Sequence, residues 1–162
     1  MRQEYLAGNL VENHSWSHPE LTRLSASGIL SQLTSTSNAI QAAIGVRPIF
    51  FRPPYGSLNR TVLAQASSIG VTTVLWDDTA SDWGLPGVVA IISGTLRLAR
   101  NGAIILLHDG GGNRAQTVAA LPAIITTLLH RGFKFVTIQQ LVVDLATHTA
   151  RNANTLHSTA TS

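Results

Sequence analysis

Two histidines with three residues between them are the first side chains in this sequence whose spacing suggests chemistry. They are His14 and His18, in the segment HSWSH. On one helical turn, two neutral imidazoles at this spacing can bind the same divalent metal ion. An isolated pair is more often an ordinary surface or core feature, so the pattern predicts a metal site only if other polar segments join it.

Three further polar segments each follow an apolar run. Each also has an ordinary structural explanation, because consecutive prolines make a rigid turn, an aspartate can cap a helix and glycines form loops. Their order and placement therefore carry more information than any one of them. The segments are RPPYG at 52–56, DDTASDW at 77–83 and HDGGG at 108–112.

Apolar runs alternate with stretches of helical periodicity along most of the chain, which predicts an α/β fold with parallel strands. In such folds functional side chains collect at the carboxyl ends of the strands, where all four polar segments fall. The predicted strands are 10–13, 48–51, 71–76, 103–107 and 133–137, and the predicted helices are 25–44, 59–69, 86–100, 117–131 and 138–145.

The composition excludes several classes of protein. Hydrophobic residues make up 44% of the 162 residues and charged residues only 12%, which is typical of a globular domain with a core. The absence of cysteine excludes disulfides, thiolate metal sites and cysteine nucleophiles. The net charge of +3 comes without any run of Lys or Arg, which argues against a nucleic-acid partner.

The chain is expected to hold one domain, residues 1–145, followed by a disordered polar tail, residues 146–162. No apolar stretch reaches the roughly 18 residues of a membrane span. The residues before His14 lack the apolar run of a signal peptide. We therefore expect either a cytoplasmic protein or an export signal outside the sequence given.

Four segments occur in the order of motifs two to five of the polysaccharide deacetylases, also called the NodB homology domain or carbohydrate esterase family four. They are HSWSHP, FFRPPYG, the SDW that follows VLW, and LLHDGG. The chain resembles this family from about Gly8 to Leu145. The resemblance implies a distorted (β/α) barrel and metal-dependent hydrolysis of acetyl groups on N-acetylated or O-acetylated glycans. Peptidoglycan, chitin-like and xylan-like polymers are the implied substrates, at the cell envelope or outside the cell.

The resemblance also implies roles for the residues that match the motifs in the first half of the chain. His14 and His18 match the histidines that bind a divalent metal, usually zinc. Arg52 matches the arginine that orients the catalytic base. Tyr55 matches the residue whose backbone N–H stabilises the oxyanion, where negative charge develops during the reaction.

In the second half, His108 matches the general acid that protonates the leaving amine. Asp82 matches the carboxylate that holds this histidine. Trp83 and Leu106 match the two walls of the apolar pocket for the acetyl methyl group. Asp77 and Asp78 match no role in the motif.

The chain departs from the family at the first motif, a Thr-Phe-Asp-Asp-Gly type sequence that supplies the catalytic base and the third metal ligand. Only thirteen residues precede His14, and their acidic residues, Glu4 and Glu12, do not fit the motif. We therefore expect an N-terminally incomplete deacetylase that lacks the first strand and helix of the barrel. Its third metal ligand would then lie outside this chain.

Two other classes of function remain open from the sequence. A catalytically impaired relative would keep the sugar groove and serve as a carbohydrate-binding module. A different metal hydrolase could use the same scaffold to cleave a small amide. The sequence leaves open which glycan is bound, which metal is used and which oligomeric state forms.

Overall fold

The computed structural model describes residues 1–159. The chain divides into two compact units, an N-terminal unit of Met1–Leu75 and a C-terminal unit that begins at Trp76. Each unit has a hydrophobic cluster of its own.

The N-terminal unit contains three α-helices and two short parallel strands. Its strands pair in register, with Phe50 opposite Thr72 and Phe51 opposite Thr73. The elements are α1 (Arg2–Leu6), a 3-10 turn (Leu21–Arg23), α2 (Ala26–Ile44), β1 (Phe50–Phe51), a 3-10 turn (Pro54–Gly56), α3 (Arg60–Ser68) and β2 (Thr72–Thr73).

Local capping explains the bounds of the two long helices of this unit. The Ser25 side chain accepts a hydrogen bond from the Gly28 N–H at the start of α2, and Gly45 ends that helix with a left-handed φ of 81°. The Asn59 side chain accepts from the Val62 N–H at the start of α3. The helices predicted at 25–44 and 59–69 are confirmed. They cover a core formed by Leu21, Ile29, Leu33, Phe51, Val62, Ala66 and Val71.

The C-terminal unit repeats the alternation of strand and helix. Its two strands are parallel, with Asp78 opposite Ile105 and Thr79 opposite Leu106. The core consists of Ile91, Ala120, Ile124 and Leu128, which lie on two helices. The elements are β3 (Asp78–Thr79), a 3-10 turn (Asp82–Gly84), α4 (Val88–Leu98), β4 (Ile105–Leu106), α5 (Ala115–His130) and α6 (Ile138–Thr159).

Two parts of the C-terminal unit differ from the sequence-based expectation. Residues 133–137 were predicted to form a strand, but they form an irregular segment leading into α6. Phe135 and Val136 are exposed there, and no described segment pairs with them. β-propensity alone cannot make a strand, because a strand needs a hydrogen-bonded partner.

The second difference concerns the predicted tail. Helix α6 continues through residues 146–159, where we expected disorder, and residues 160–162 lie outside the described residues. No glycine or proline interrupts the stretch 138–159, so the helix meets no local barrier to extension. The division between a domain at 1–145 and a tail stays a prediction. Among the described residues, no helix is long and apolar enough to cross a membrane.

Candidate active site

The candidate site residues of the N-terminal unit lie around the histidine loop, which we define as residues 13–18. Asn13 forms a parallel bridge with Phe51 of β1, through backbone hydrogen bonds to Phe50 and Arg52. On its other side β1 pairs with β2. His14 and Arg52 therefore both follow the carboxyl ends of neighbouring parallel segments, as the sequence predicted.

The two imidazoles of this loop meet without a helical turn. Ser15 and His18 instead adopt left-handed backbone conformations, with φ of 65° and 57°. Such conformations are unfavourable for residues other than glycine, and they are found where the surroundings enforce them, often at functional sites. The ring centroids of His14 and His18 lie 4.9 Å apart in an edge-to-face arrangement.

Asn13 is the buried residue that enforces this backbone. Its Nδ2 donates to the Leu33 carbonyl at 2.8 Å and to Ser37 Oγ at 2.9 Å, both on α2. Its Oδ1 accepts the Ser15 N–H at 3.0 Å. The Ser15 hydroxyl in turn accepts the His18 N–H at 3.1 Å. The loop is thus joined to α2 through a chain of hydrogen bonds.

Gln32 of α2 provides a second attachment. Its Oε1 accepts the backbone N–H groups of Trp16 and Ser17, each at 2.9 Å. Its Nε2 donates to Ser17 Oγ at 3.0 Å. One side chain therefore satisfies two neighbouring donors in the middle of the loop. Both histidines remain exposed at the surface of the unit.

The RPPYG segment approaches the same loop. The Arg52 carbonyl accepts a 2.6 Å hydrogen bond from His14 Nδ1. Since a carbonyl can only accept, Nδ1 carries the proton and the lone pair of the neutral ring is on Nε2. The Tyr55 ring packs edge-to-face on His18 at 4.7 Å, and the Tyr55 backbone is left-handed with φ of 58°.

The guanidinium of Arg52 is half-buried, and its Nη2 donates to the Leu75 carbonyl at 3.5 Å. Burial lowers the pKa of Arg52, because the charged form is desolvated. The N-terminal unit thus brings together four of the predicted site residues, His14, His18, Arg52 and Tyr55.

A divalent metal fits this donor set in type. Two neutral imidazoles are preferred zinc ligands, and the hydrogen bond from His14 Nδ1 to a backbone carbonyl is the kind of contact that orients a ligating histidine. The number of donors is low, because no three His, Asp or Glu side chains within residues 1–159 lie close enough together to hold a metal ion. His14 and His18 can therefore supply two ligands.

The candidate site residues of the C-terminal unit are centred on the aspartate–histidine pair, Asp82 and His108. Asp82 begins the 3-10 turn after β3, and His108 follows β4. The Asp82 side chain is completely buried, whereas that of His108 is 33% exposed. His108 Nδ1 lies 2.8 Å from Asp82 Oδ1, and the His108 backbone N–H donates to Oδ2 at 2.8 Å. The pair that the sequence predicted is therefore assembled.

A third hydrogen bond reaches the same carboxylate from α5. Thr117 Oγ1 donates to Asp82 Oδ2 at 2.9 Å. Burial raises the pKa of Asp82, but the hydrogen bonds from His108 and Thr117 together outweigh it, so the pKa falls below its usual value. An ionised Asp82 can only accept, so Nδ1 of His108 carries the proton.

Trp83 and Leu106 lie next to this pair in the chain. Trp83 is 59% exposed, in a turn flanked by Ser81 and Leu85 in left-handed conformations. Leu106 is half-buried in β4, two residues before His108. The hydrogen bonds between Asp82 and His108 thus bring together the two segments that carry these predicted pocket walls.

Arg114 fastens the glycine loop that follows His108. Its Nε and Nη2 donate to the carbonyls of Gly110 and Gly111 at 2.9 Å and 3.0 Å, and Nη1 donates to the Trp83 carbonyl at 3.2 Å. One guanidinium therefore joins the loop after His108 to the turn that carries Trp83. This arrangement uses the planar fork of arginine, which a lysine cannot reproduce.

Sequence reasoning missed most of these supporting residues. Gln32, Arg114 and Thr117 belong to none of the motifs, and Asn13 directly precedes a candidate ligand without having been assigned a role in the site. Asp77 has a structural role, since its carboxylate accepts from Arg100 Nη2 at 2.8 Å and from the Ile104 N–H at 2.6 Å.

A family model described as polysaccharide deacetylase matches residues 1–74. The chain is 34% identical over 144 residues to a peptidoglycan-N-acetylglucosamine deacetylase of Bacillus cereus, covering 88% of this chain and 67% of the relative. It is 36% identical over 151 residues to a chitooligosaccharide deacetylase of Rhizobium leguminosarum bv. trifolii, covering 86% and 70%.

A solved structure agrees with these sequence matches. The structure of the peptidoglycan deacetylase PdaC from Bacillus subtilis superposes with a TM-score of 0.86 at 33% identity, covering 95% of this chain and 73% of that one. The predicted α/β fold of the deacetylase barrel type is confirmed. The chain spans about two thirds to three quarters of these relatives. On this similarity in sequence and fold, the chain belongs to the polysaccharide deacetylase family.

Proposed function

We propose that this chain carries the metal-binding histidines and the general acid of a hydrolase that removes acetyl groups from an N-acetylated glycan. The observation that carries the proposal is the pairing of partly exposed His108 with fully buried Asp82. A histidine whose Nδ1–H is held by a buried carboxylate keeps a defined tautomer, with Nε2 able to give a proton to a substrate. The family supplies the reaction to which this pair belongs.

The reaction is hydrolysis of a carbon–nitrogen bond that is not a peptide bond. Water adds to the acetyl carbonyl carbon, the bond from this carbon to nitrogen breaks, and the products are acetate and a free amine on the sugar. The leaving nitrogen needs a proton before it can depart. Protonated His108 is the donor in this proposal, and Asp82 stabilises the imidazolium by accepting its Nδ1–H.

His14 and His18 would hold a divalent metal, for which zinc suits the imidazole donors. Such a metal, when bound, would supply Lewis-acid chemistry, polarising the acetyl carbonyl and lowering the pKa of water. His14 presents Nε2 as a ligand because its Nδ1 donates to the Arg52 carbonyl. Tyr55 would direct its backbone N–H at the developing oxyanion. Arg52 would orient the catalytic base.

Trp83 and Leu106 would flank the acetyl methyl group, which needs an apolar surface. Both are near the general acid in the chain, and Trp83 exposes most of its ring. Peptidoglycan and chitooligosaccharide are the substrates named for the two relatives above. We therefore propose an N-acetylated amino-sugar polymer as the substrate and an extracellular or envelope location as the site of action.

The test uses the endogenous protein at its natural length. N-acetylglucosamine oligomers, peptidoglycan and acetylated xylan are supplied separately, and acetate and free amine are both quantified. We expect acetate and amine in equal amounts from the first two substrates and a loss of both after treatment with a chelator. Acetate release that a chelator leaves unchanged would contradict the metal-dependent mechanism.

One observation favours a second candidate, a carbohydrate-binding module without turnover. No three possible metal ligands cluster together in the part of the chain that the structure describes, whereas catalytic zinc sites usually have three protein ligands. In the same experiment this candidate predicts binding of the glycan, no acetate release and no effect of the chelator on binding.

A further inference from the structure

Thr117 contacts the aspartate–histidine pair although it belongs to none of the motifs. It is the third residue of α5 and is 2% exposed. Its hydroxyl donates to Asp82 Oδ2 at 2.9 Å. Two further hydrogen bonds to this carboxylate both come from His108. Thr117 thus connects Asp82 to α5, a helix that does not carry His108.

The geometry of the hydrogen bond from Thr117 to Asp82 determines its effect on the carboxylate. The terminal torsion of an aspartate is broad, so a carboxylate held from one side can rotate about its Cβ–Cγ bond. His108 contacts both oxygens, through Nδ1 on Oδ1 and its backbone N–H on Oδ2. A donor on a separate helix fixes the carboxylate plane independently of His108, and the plane in turn orients the imidazole.

A buried threonine in the same unit shows that burial alone does not require such a contact. Thr95 of α4 is 1% exposed, and its Oγ1 has no hydrogen-bond partner among the described residues. An unmade hydrogen bond at a buried hydroxyl is therefore tolerated in this unit, despite its cost. The contact from Thr117 to Asp82 goes beyond filling space with a β-branched side chain.

We propose that Thr117 is a positioning residue whose hydroxyl fixes the Asp82 carboxylate in the orientation that holds the His108 imidazole with its proton on Nδ1. The inference rests on the proposed function for the catalytic role of His108. The positioning itself concerns only these three side chains and can be measured without turnover.

The experiment compares Thr117→Val, which keeps the shape and removes the hydroxyl, with Thr117→Ser, which keeps the hydroxyl. Thr95→Val is the matched control, because it makes the same change at a buried threonine that does not contact Asp82. The imidazole is labelled with ¹⁵N, and NMR reports the tautomer of His108 and its Nδ1–H proton signal. The same variants are assayed for kcat and KM on N-acetylglucosamine oligomers.

We expect the wild type, Thr117→Ser and Thr95→Val to show the Nδ1–H tautomer with an observable proton signal. In Thr117→Val this signal broadens or disappears and the tautomers mix. The kcat of this variant falls about tenfold with KM nearly unchanged, since hydrogen bonds to charged groups contribute on that scale. Wild-type tautomer, proton signal and kcat in Thr117→Val would overturn the proposal.

The two kinds of readout separate this inference from the proposed function. If no variant and no wild-type protein releases acetate, the deacetylase proposal fails, whereas the NMR comparison still decides whether Thr117 positions His108. If Thr117→Val does not fold, Thr117→Ala against Thr117→Ser gives the same comparison of hydroxyl removed with hydroxyl kept. Identical His108 signals in that pair would equally overturn the proposal.

Discussion

In the N-terminal unit the imidazoles of His14 and His18 lie exposed on a loop, whereas in the C-terminal unit the partner of His108 is a carboxylate with no exposed surface. Both regions hold their histidines through hydrogen bonds from a neighbouring helix. The histidine loop is attached to α2 by hydrogen bonds of Asn13 and Gln32. The aspartate–histidine pair is fastened to α5 by Thr117.

The difference follows from the chemistry proposed for each region. A metal ligand has to present a lone pair, so a neutral imidazole held by a backbone carbonyl suffices, as His14 shows with Arg52. A general acid has to change charge during the reaction, so it needs a buried anion that stabilises the charged form. Under the proposed function, the histidine loop supplies two ligands to a metal, whereas His108 already has the carboxylate of Asp82 as its hydrogen-bonded partner.

The largest expected effect comes from removing the charge of the buried anion. Asp82→Asn keeps the shape but no longer stabilises the imidazolium of His108. We expect acetate release to fall by about 10²–10⁴-fold, the range over which general acid catalysis contributes. Asp144→Asn, on α6, is the control and should leave the rate unchanged. A rate for Asp82→Asn within a few-fold of wild type would remove the contrast between the two regions.

Asn13 provides the corresponding test of the histidine loop. Asn13→Ala leaves the buried partners on α2 unsatisfied and frees the Ser15 N–H. We expect the free energy of unfolding to fall by about 3 kcal/mol, because several buried hydrogen bonds are lost together. Urea denaturation measures this loss. Asn9→Ala, at an exposed asparagine, should change stability by less than about 0.5 kcal/mol.

Gln32 allows the loop to be loosened with less damage to the fold, because its partners are exposed. Gln32→Ala should weaken zinc binding by about tenfold, the lower end of the effect of residues that orient metal ligands. Isothermal titration with zinc is the measurement. Gln41→Ala, on the same helix, is the control. Equal zinc affinity in both variants would show that the loop does not depend on its attachment to α2.

The smallest effect concerns the pH dependence of the free energy of unfolding. Asp82 in the C-terminal unit and Glu12 in the N-terminal unit contribute to it with opposite signs. The folded-state pKa of Asp82 lies below its usual 3.8, so its stabilisation is present above that value and is lost as the pH falls through the folded pKa. Burial raises the pKa of Glu12 above its usual 4.5, although hydrogen bonds from the backbone N–H groups of Phe50 and Ile49 lower it in part. The contribution of Glu12 to the stability of the fold is therefore fully present below pH 4.5 and is lost as the pH rises through its raised pKa.

Denaturation at a series of pH values tests this contrast. Asp82→Asn should flatten the loss of stability at acid pH, because it removes a group that must take up a proton on unfolding there. Glu12→Gln should remove the decline in stability as the pH rises above 4.5. Identical pH profiles for the two variants would contradict the opposite signs.

The sequence could predict the residues that carry chemistry better than the residues that hold them. Arg52 and His108 stand directly after apolar runs, and within each unit the carboxyl ends of parallel strands lie at one edge of the sheet. Thr117 and Gln32 contact partners 35 and 15 or 16 positions away, and nothing local marks them. Only the packing of helix against loop selects these side chains.

The same reasoning explains the elements that differed from expectation. Local caps and hydrophobic periodicity determine helices α2 and α3, so their bounds could be predicted from the sequence. The segment 133–137 has the composition of a strand, but its state depends on whether another strand lies beside it. The polar stretch after Leu145 lacks apolar periodicity, yet it also lacks any residue that stops a helix already begun at Ile138.

The most direct test of the account is acetate release by the endogenous protein carrying His108→Ala, measured beside His130→Ala on α5. The account predicts that His108→Ala loses about 10²–10⁴-fold in rate, while binding of zinc and of the glycan is retained. His130→Ala should match the wild type. Wild-type acetate release by His108→Ala would show that the aspartate–histidine pair is not the general acid and would contradict the central claim.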